Sequence, residues 1–141
     1  MFMDKELMFA EEQSIAATVG DVLSENVIDL GGPDKGDGEP LEVYAQIDTS
    51  VDSAADGASV QFKLQTADAL SGDNLDSPTD MIMTAALAEA DLTAGTLVHL
   101  GRVPGGAKRY LQLCATLSGE EVTAGAITAG LVRSKQTNFA Q

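Results

Sequence analysis

The sequence predicts an all-β fold, a sandwich or barrel of roughly seven or eight short strands, and three observations carry that prediction. Apolar and polar residues alternate strictly in several runs, and clusters of Gly, Pro, Asp, Asn and Ser separate those runs. The apolar complement is also small-sided, with no Trp, few aromatics and much Ala, which suits thin, close-packed layers. At 141 residues the chain has the size of one domain, long enough to bury a core without a disulfide or metal staple. No internal repeat or linker divides it. The expected layout is a single domain over 1–141, with an N-terminal arm at 1–14 and a C-terminal tail at 134–141.

Each element follows from its own residues. "QSIAAT" (13–18) and "ENVIDLG" (25–31) are short strand candidates, and the polar, Gly-rich "GGPDKGDGEP" (31–40) is a surface loop. "PLEVYAQIDTS" (40–50) sets Leu41, Val43, Ala45 and Ile47 on one face against Glu42, Tyr44, Gln46 and Asp48 on the other. "SVDSAADGAS" (50–59) reads as a second surface loop, and "SVQFKLQTAD" (59–68) alternates again with Val60, Phe62 and Leu64 inward. "SPTDMIMTAALAEADLTAG" (77–95) mixes helix-start chemistry at Ser77 and Pro78 with the β-favouring Thr79, Ile82 and Thr84. A strand over Met81 to Ala86 is expected there. "TLVHLGRV" (96–103) is then expected to turn back through a type II turn at Pro104-Gly105 into "KRYLQLCATL" (108–117), making a hairpin with Leu111, Leu113, Ala115 and Leu117 inward. "AGAITAGLVRS" (124–134) closes the set.

Charge excludes some partners. Eight Lys and Arg against 22 Asp and Glu give a net charge of −14, so nucleic-acid phosphates would be repelled. The imbalance is uneven: residues 1–100 hold 20 acidic against 3 basic residues, net −17, and residues 101–141 hold 2 against 5, net +3. Such polarity suggests a molecule with two electrically different faces or ends; acidic side chains that merely keep a domain soluble are the plainer account. Asp4, Lys5 and Glu6 interrupt the opening apolar residues, so no signal-peptide core is expected, and no apolar run approaches the roughly 20 residues of a membrane span. The expectation is neither nucleic acid nor membrane as a partner.

Chemical motifs are weak. "GRVPGGAK" has Gly101 and Gly106 at the separation a phosphate-binding loop needs, but Ala107 intrudes before Lys108, and Arg109 and Tyr110 stand where Ser or Thr belongs. "PDKGDGE" departs from the EF-hand spacing and reads as a solvated acidic loop rather than a Ca²⁺ site. His99 has no ligand or base partner at useful sequence spacing, Glu11-Glu12 and Glu120-Glu121 would point to opposite faces of a strand, and Cys114 reads as a half-buried structural thiol. No catalytic residue, cofactor or metal site is expected, and the chain is not expected to be an enzyme.

Two groups stay open as contacts. Phe2, Met3, Leu7, Met8 and Phe9 gather apolar side chains at the N-terminus, to dock either on the protein's own core or on a partner. Arg102, Lys108 and Arg109, with Arg133 and Lys135, form the one concentration of positive charge, either neutralising the protein's own carboxylates or meeting a partner.

"MDKELMFAEEQSIAAT", "SENVIDLGG", "GEPLEVYAQIDTS", "VQFKLQTAD", "SPTDMIMTAAL", "GGAKRYLQLCATLSG" and "TAGAITAGLV" together resemble the small capsid cement, or decoration, proteins of tailed bacteriophages. The resemblance runs nearly end to end, and its most specific parts are Asn26 to Gly31, Lys108 to Leu111 and Thr123 to Val132. It implies a jelly-roll-like β-sandwich of about eight short antiparallel strands, on the outer surface of the virion head, bridging copies of the phage major capsid protein. It also implies a homo-oligomer, a dimer expected ahead of a trimer, made in the host cytoplasm and without catalytic residues. Cys114 and the acidic loop at 31–40 look particular to this chain. The rival expectation is a carbohydrate-binding jelly-roll module that aids host attachment, for which an aromatic platform is needed and only Tyr44 and Tyr110, without Trp, are at hand.

Overall fold

A computed structural model describes residues 8–29, 41–103 and 108–133. Within these residues twelve strands follow one another: β1 (Met8–Ser14), β2 (Gly20–Leu23), β3 (Ile28–Asp29), β4 (Leu41–Ser53), β5 (Ser59–Ala67), β6 (Leu70–Ser71), β7 (Asn74–Leu75), β8 (Thr79–Met83), β9 (Leu87–Ala88), β10 (Leu97–Arg102), β11 (Tyr110–Ser118) and β12 (Val122–Arg133). A single 3-10 turn at Glu89–Asp91 interrupts them among the described residues.

The strands form two antiparallel sheets, packed face to face. The first has the order β1-β12-β4-β10 and the second β2-β11-β5-β8, with β3 continuing β2 along β11 and β9 continuing β8 along β5. The chain changes sheet between β1 and β2, β3 and β4, β4 and β5, β9 and β10, β10 and β11, and β11 and β12. This alternation is the jelly-roll arrangement of two interleaved Greek keys, and it bears out the expected all-β sandwich. A two-stranded hairpin, β6-β7, lies apart from both sheets.

Alternation explains the core. Val43, Ala45 and Ile47 of β4 face Val60, Phe62 and Leu64 of β5 and Leu111, Leu113, Ala115 and Leu117 of β11, and all are buried. Glu42, Tyr44, Gln46 and Asp48, on the other face of β4, stay half-buried. In β11 the outer face is buried too, at Gln112 and Cys114. Gln112 lies under the β6-β7 hairpin, where its Oε1 accepts from the Leu75 N–H and its Nε2 donates to Asn74 Oδ1 and to the Ser24 carbonyl.

Several expectations are corrected. The hairpin from 96–103 into 108–117 does not form: β10 pairs with β4 in one sheet and β11 with β2, β3 and β5 in the other. The two strands lie in different sheets, so their apolar faces meet the one core from opposite sides. Pro104-Gly105 lies outside the described residues, as do the loop at 31–40 and the tail at 134–141. Of the arm expected at 1–14, residues 8–14 form β1, paired with β12 from Met8↔Gly130 to Ser14↔Ala126; the strand expected at 13–18 begins five residues earlier. The strand at 25–31 shrinks to Ile28–Asp29, and that at 81–86 shifts to Thr79–Met83. Nor are all the strands short, since β4 runs 13 residues and β12 runs 12, and β4 takes in Val51 and Ser53 of the expected loop. The remaining turn is tight: Gly119, at φ +83, lies so close to the β4–β5 turn that a Cβ would overlap the Gly57 carbonyl oxygen.

Candidate functional site

The ladder registers carry sequence-distant cations to one end of the sandwich. β10 ends at Arg102, paired with Glu42 at the start of β4, and β12 ends alongside it with Val132↔Glu42 and Arg133↔Leu41. Met8 pairs with Gly130 two residues before Val132, and β11 begins beyond the crossover from β10 with Lys108 and Arg109 just ahead of Tyr110. Met8, Arg102, Lys108, Arg109 and Arg133 therefore stand at the same end. Every described cation except Lys63 is there. Phe2, Met3, Leu7 and Lys135 lie outside the described residues.

These positions differ in availability. Phe9 is wholly buried in the protein's own core, whereas Met8 beside it is half-buried. Arg109 grips Asp29 with two hydrogen bonds, Nε to Oδ1 at 2.9 Å and Nη2 to Oδ2 at 3.0 Å, and lies 5.0 Å from the Tyr110 ring centroid. The hydrogen bond and then the charge of Asp29 push the Arg109 pKa upward, so the guanidinium is permanently charged. Lys108 Nζ is 3.7 Å from Asp68 Oδ2. Arg102 is exposed, with no carboxylate within ion-pair distance among the described residues. Thus Lys108 and Arg109 meet the protein's own carboxylates, and Arg102 meets none among the described residues.

Carboxylates collect at the opposite end. Asp52 at the end of β4 and Asp56 of the β4–β5 turn converge with Glu89, ligand oxygens within 4.8 Å of one another, and Glu120 and Glu121 lie in the turn before β12. Three such oxygens are the hard donors a divalent cation takes. They have structural duties as well: Glu89 accepts from the Ser53 hydroxyl, Asp52 Oδ1 accepts from the Ser53 N–H at 3.0 Å, and Glu120 accepts from the Ala55 and Gly57 N–H groups at 2.9 and 3.1 Å. The described cations and this acidic cluster thus lie at opposite ends, although Asp29, Glu42 and Asp68 share the end of the cations.

A third cluster lies on the outer face of the first sheet. His99 Nε2 is 3.4 Å from Glu42 Oε1, and its ring stacks on Tyr44 with centroids 4.5 Å apart. Burial, and then the charge and hydrogen bonding of Glu42, push the Tyr44 hydroxyl pKa up. Sequence spacing hid this partnership because Glu42 and His99 come from strands distant in the chain; only the β4/β10 register juxtaposes them. The Asp52, Asp56 and Glu89 group was hidden for the same reason. Cys114 is fully buried, with a thiol pushed up to about 11 chiefly by that burial and further by the charge of Asp21.

Among known families, the model of Bbp16 matches residues 9–131, from β1 into β12. No curated protein matches the chain.

Proposed function

The chain belongs to the Bbp16 family, and from that premise we propose that it is a structural virion protein, a cement protein on the outer surface of a phage head. It bridges neighbouring major capsid proteins and acts as a homo-oligomer. The observation that carries this reading is the gathering of Met8, Arg102, Lys108, Arg109 and Arg133 at one end of a jelly-roll sandwich whose other end is acidic. A polarised molecule has one end suited to a shell subunit and one that faces solvent. Outward carboxylates keep decorated particles apart, and no attraction draws the protein to packaged DNA. Binding confined to the mature lattice adds to shell stability by mass action, and many copies multiply modest contacts.

The carbohydrate-binding alternative needs an open aromatic face. Both tyrosines are already engaged, Tyr44 by His99 and Tyr110 by Arg109, which favours the structural reading.

Co-sedimentation with heads that lack the protein, over a salt series, tests the proposal. Saturable binding with a raised bursting temperature is the expected result. Removing residues 1–7, which leaves β1 and Phe9 in place, and reversing Lys108 and Arg109 to Glu should each lower occupancy. Heads that neither bind the wild-type chain nor gain heat resistance would remove the cement role.

A further inference from the structure

Among the described residues, four edges bound the two sheets: β1 and β10 in the first, and β2 with β3 and β8 with β9 in the second. An open edge is a template for pairing with another chain, and charges or bulges on it discourage that. β1 carries Glu11 and Glu12, the latter at φ 48 within a register shift. β2 carries Asp21, β3 Asp29 and β8 Asp80. In a chain of net charge −14, the carboxylates of β1, β2 and β8 turn a second copy away, and on β3 Asp29 is held by Arg109. β10 has no carboxylate at all.

β10 also presents something to pair with. Leu97 is 53 % exposed, and it borders a shallow apolar cleft lined by Leu87, Leu92 and Val98. The Ile47 N–H donates to the Thr96 carbonyl at 2.9 Å, so the alternation of the ladder turns the peptide groups of Leu97 and His99 away from β4. The shift between His99 and Gly101, with Gly101 at φ +123, bends the strand beyond His99 and limits the straight run to Leu97–His99. The two ends of β10 differ in charge. Asp91 borders the cleft at the Leu97 end, and Arg102 stands exposed at the other.

We propose that β10 is the subunit interface, and that a second copy of this chain pairs with it antiparallel about a two-fold axis at Val98. Leu97 of each copy then lies against His99 of the other, the two first sheets join into one, and each Arg102 reaches Asp91 of the second copy. A parallel pairing would set Asp91 beside Asp91 and Arg102 beside Arg102. Charge therefore selects the antiparallel, closed dimer over an open chain of copies. The inference names the partner in the oligomer of the proposed function; it rests on that reading for its place on a head, not for the contact itself.

Sedimentation equilibrium of the full chain, up to about 100 µM, tests it. A dimer is expected, weakened about tenfold or more by Leu97→Lys and by Arg102→Glu, with unchanged circular dichroism and, at dilutions where the wild-type chain is monomeric, an unchanged thermal midpoint because both side chains are exposed. Adding Asp91→Arg to Arg102→Glu should restore the dimer, since the ion pair is rebuilt with its signs exchanged. A monomer throughout that range overturns the inference, as does a dimer indifferent to Leu97→Lys and to the charge exchange. Head occupancy, scored on the same samples, keeps the two readings apart: a dimer sensitive at β10 that leaves heads bare supports this interface and sinks the cement role.

Discussion

Cys114 shows what packing does to a single side chain. Its place in the alternation of β11 points it outward, yet it is fully buried, flanked in register by Leu23 of β2 and Lys63 of β5. Burial disfavours the thiolate and raises the thiol from 9.0 to about 11. A native chain at pH 8 should therefore react with a disulfide reagent at least about 100-fold more slowly than the unfolded chain, as absorbance of the released thiolate would show. The sign for stability follows: a folded pKa above the unfolded value contributes below pH 9.0 and is lost as pH rises toward about 11. Fast labelling of the native thiol would mean that the outer face of β11 opens readily. Gln112 next to it is polar but equally buried, and it is tolerated because its amide nitrogen and oxygen both find partners in the β6-β7 hairpin and Ser24.

At the level of elements, β1 is where sequence and structure part most informatively. Phe9 sits in an apolar terminus that the sequence leaves between the protein's own core and a partner; β1 pairs with β12 and seats Phe9 at 0 % exposure. Phe9→Ala should cost about 3–5 kcal/mol, measured by denaturant midpoint at unchanged slope. A loss below about 1 kcal/mol would mean that β1 is peripheral to folding. The same placement constrains experiments on the terminus: a deletion through residue 9 removes core, whereas one through residue 7 does not. β10 and β11 teach a second lesson. Both alternate cleanly, and a short Gly- and Pro-containing connection joins them, yet they lie in opposite sheets. A turn signal reports a change of direction and not the identity of the pairing partner.

Over the whole molecule the net charge of −14 works against compactness, since 22 carboxylates repel one another and only a few meet cations. Added salt should screen that repulsion, so the thermal midpoint is expected to rise by a few degrees from about 20 to about 300 mM NaCl, read by scanning calorimetry. A midpoint that falls instead would show that pairs such as Arg109 with Asp29 outweigh the long-range repulsion. Much of the architecture was legible in the chain. Period-2 alternation assigned the inward faces of β4, β5 and β11, and the late excess of cations anticipated a polar molecule. Both are properties of consecutive residues or of composition, so sequence by itself determines them: an all-β domain, its principal strands, the residues that face the core and the sign of its charge. The tertiary structure alone decided which strands pair, that β10 and β11 part, that Phe9 is core, that Glu42 meets His99, and that Met8, Arg102 and Arg109 share one end. Those outcomes depend on register between strands far apart in the chain. Period-2 alternation is the same whichever neighbour a strand takes, so only the packing of two complete sheets around one core selects it.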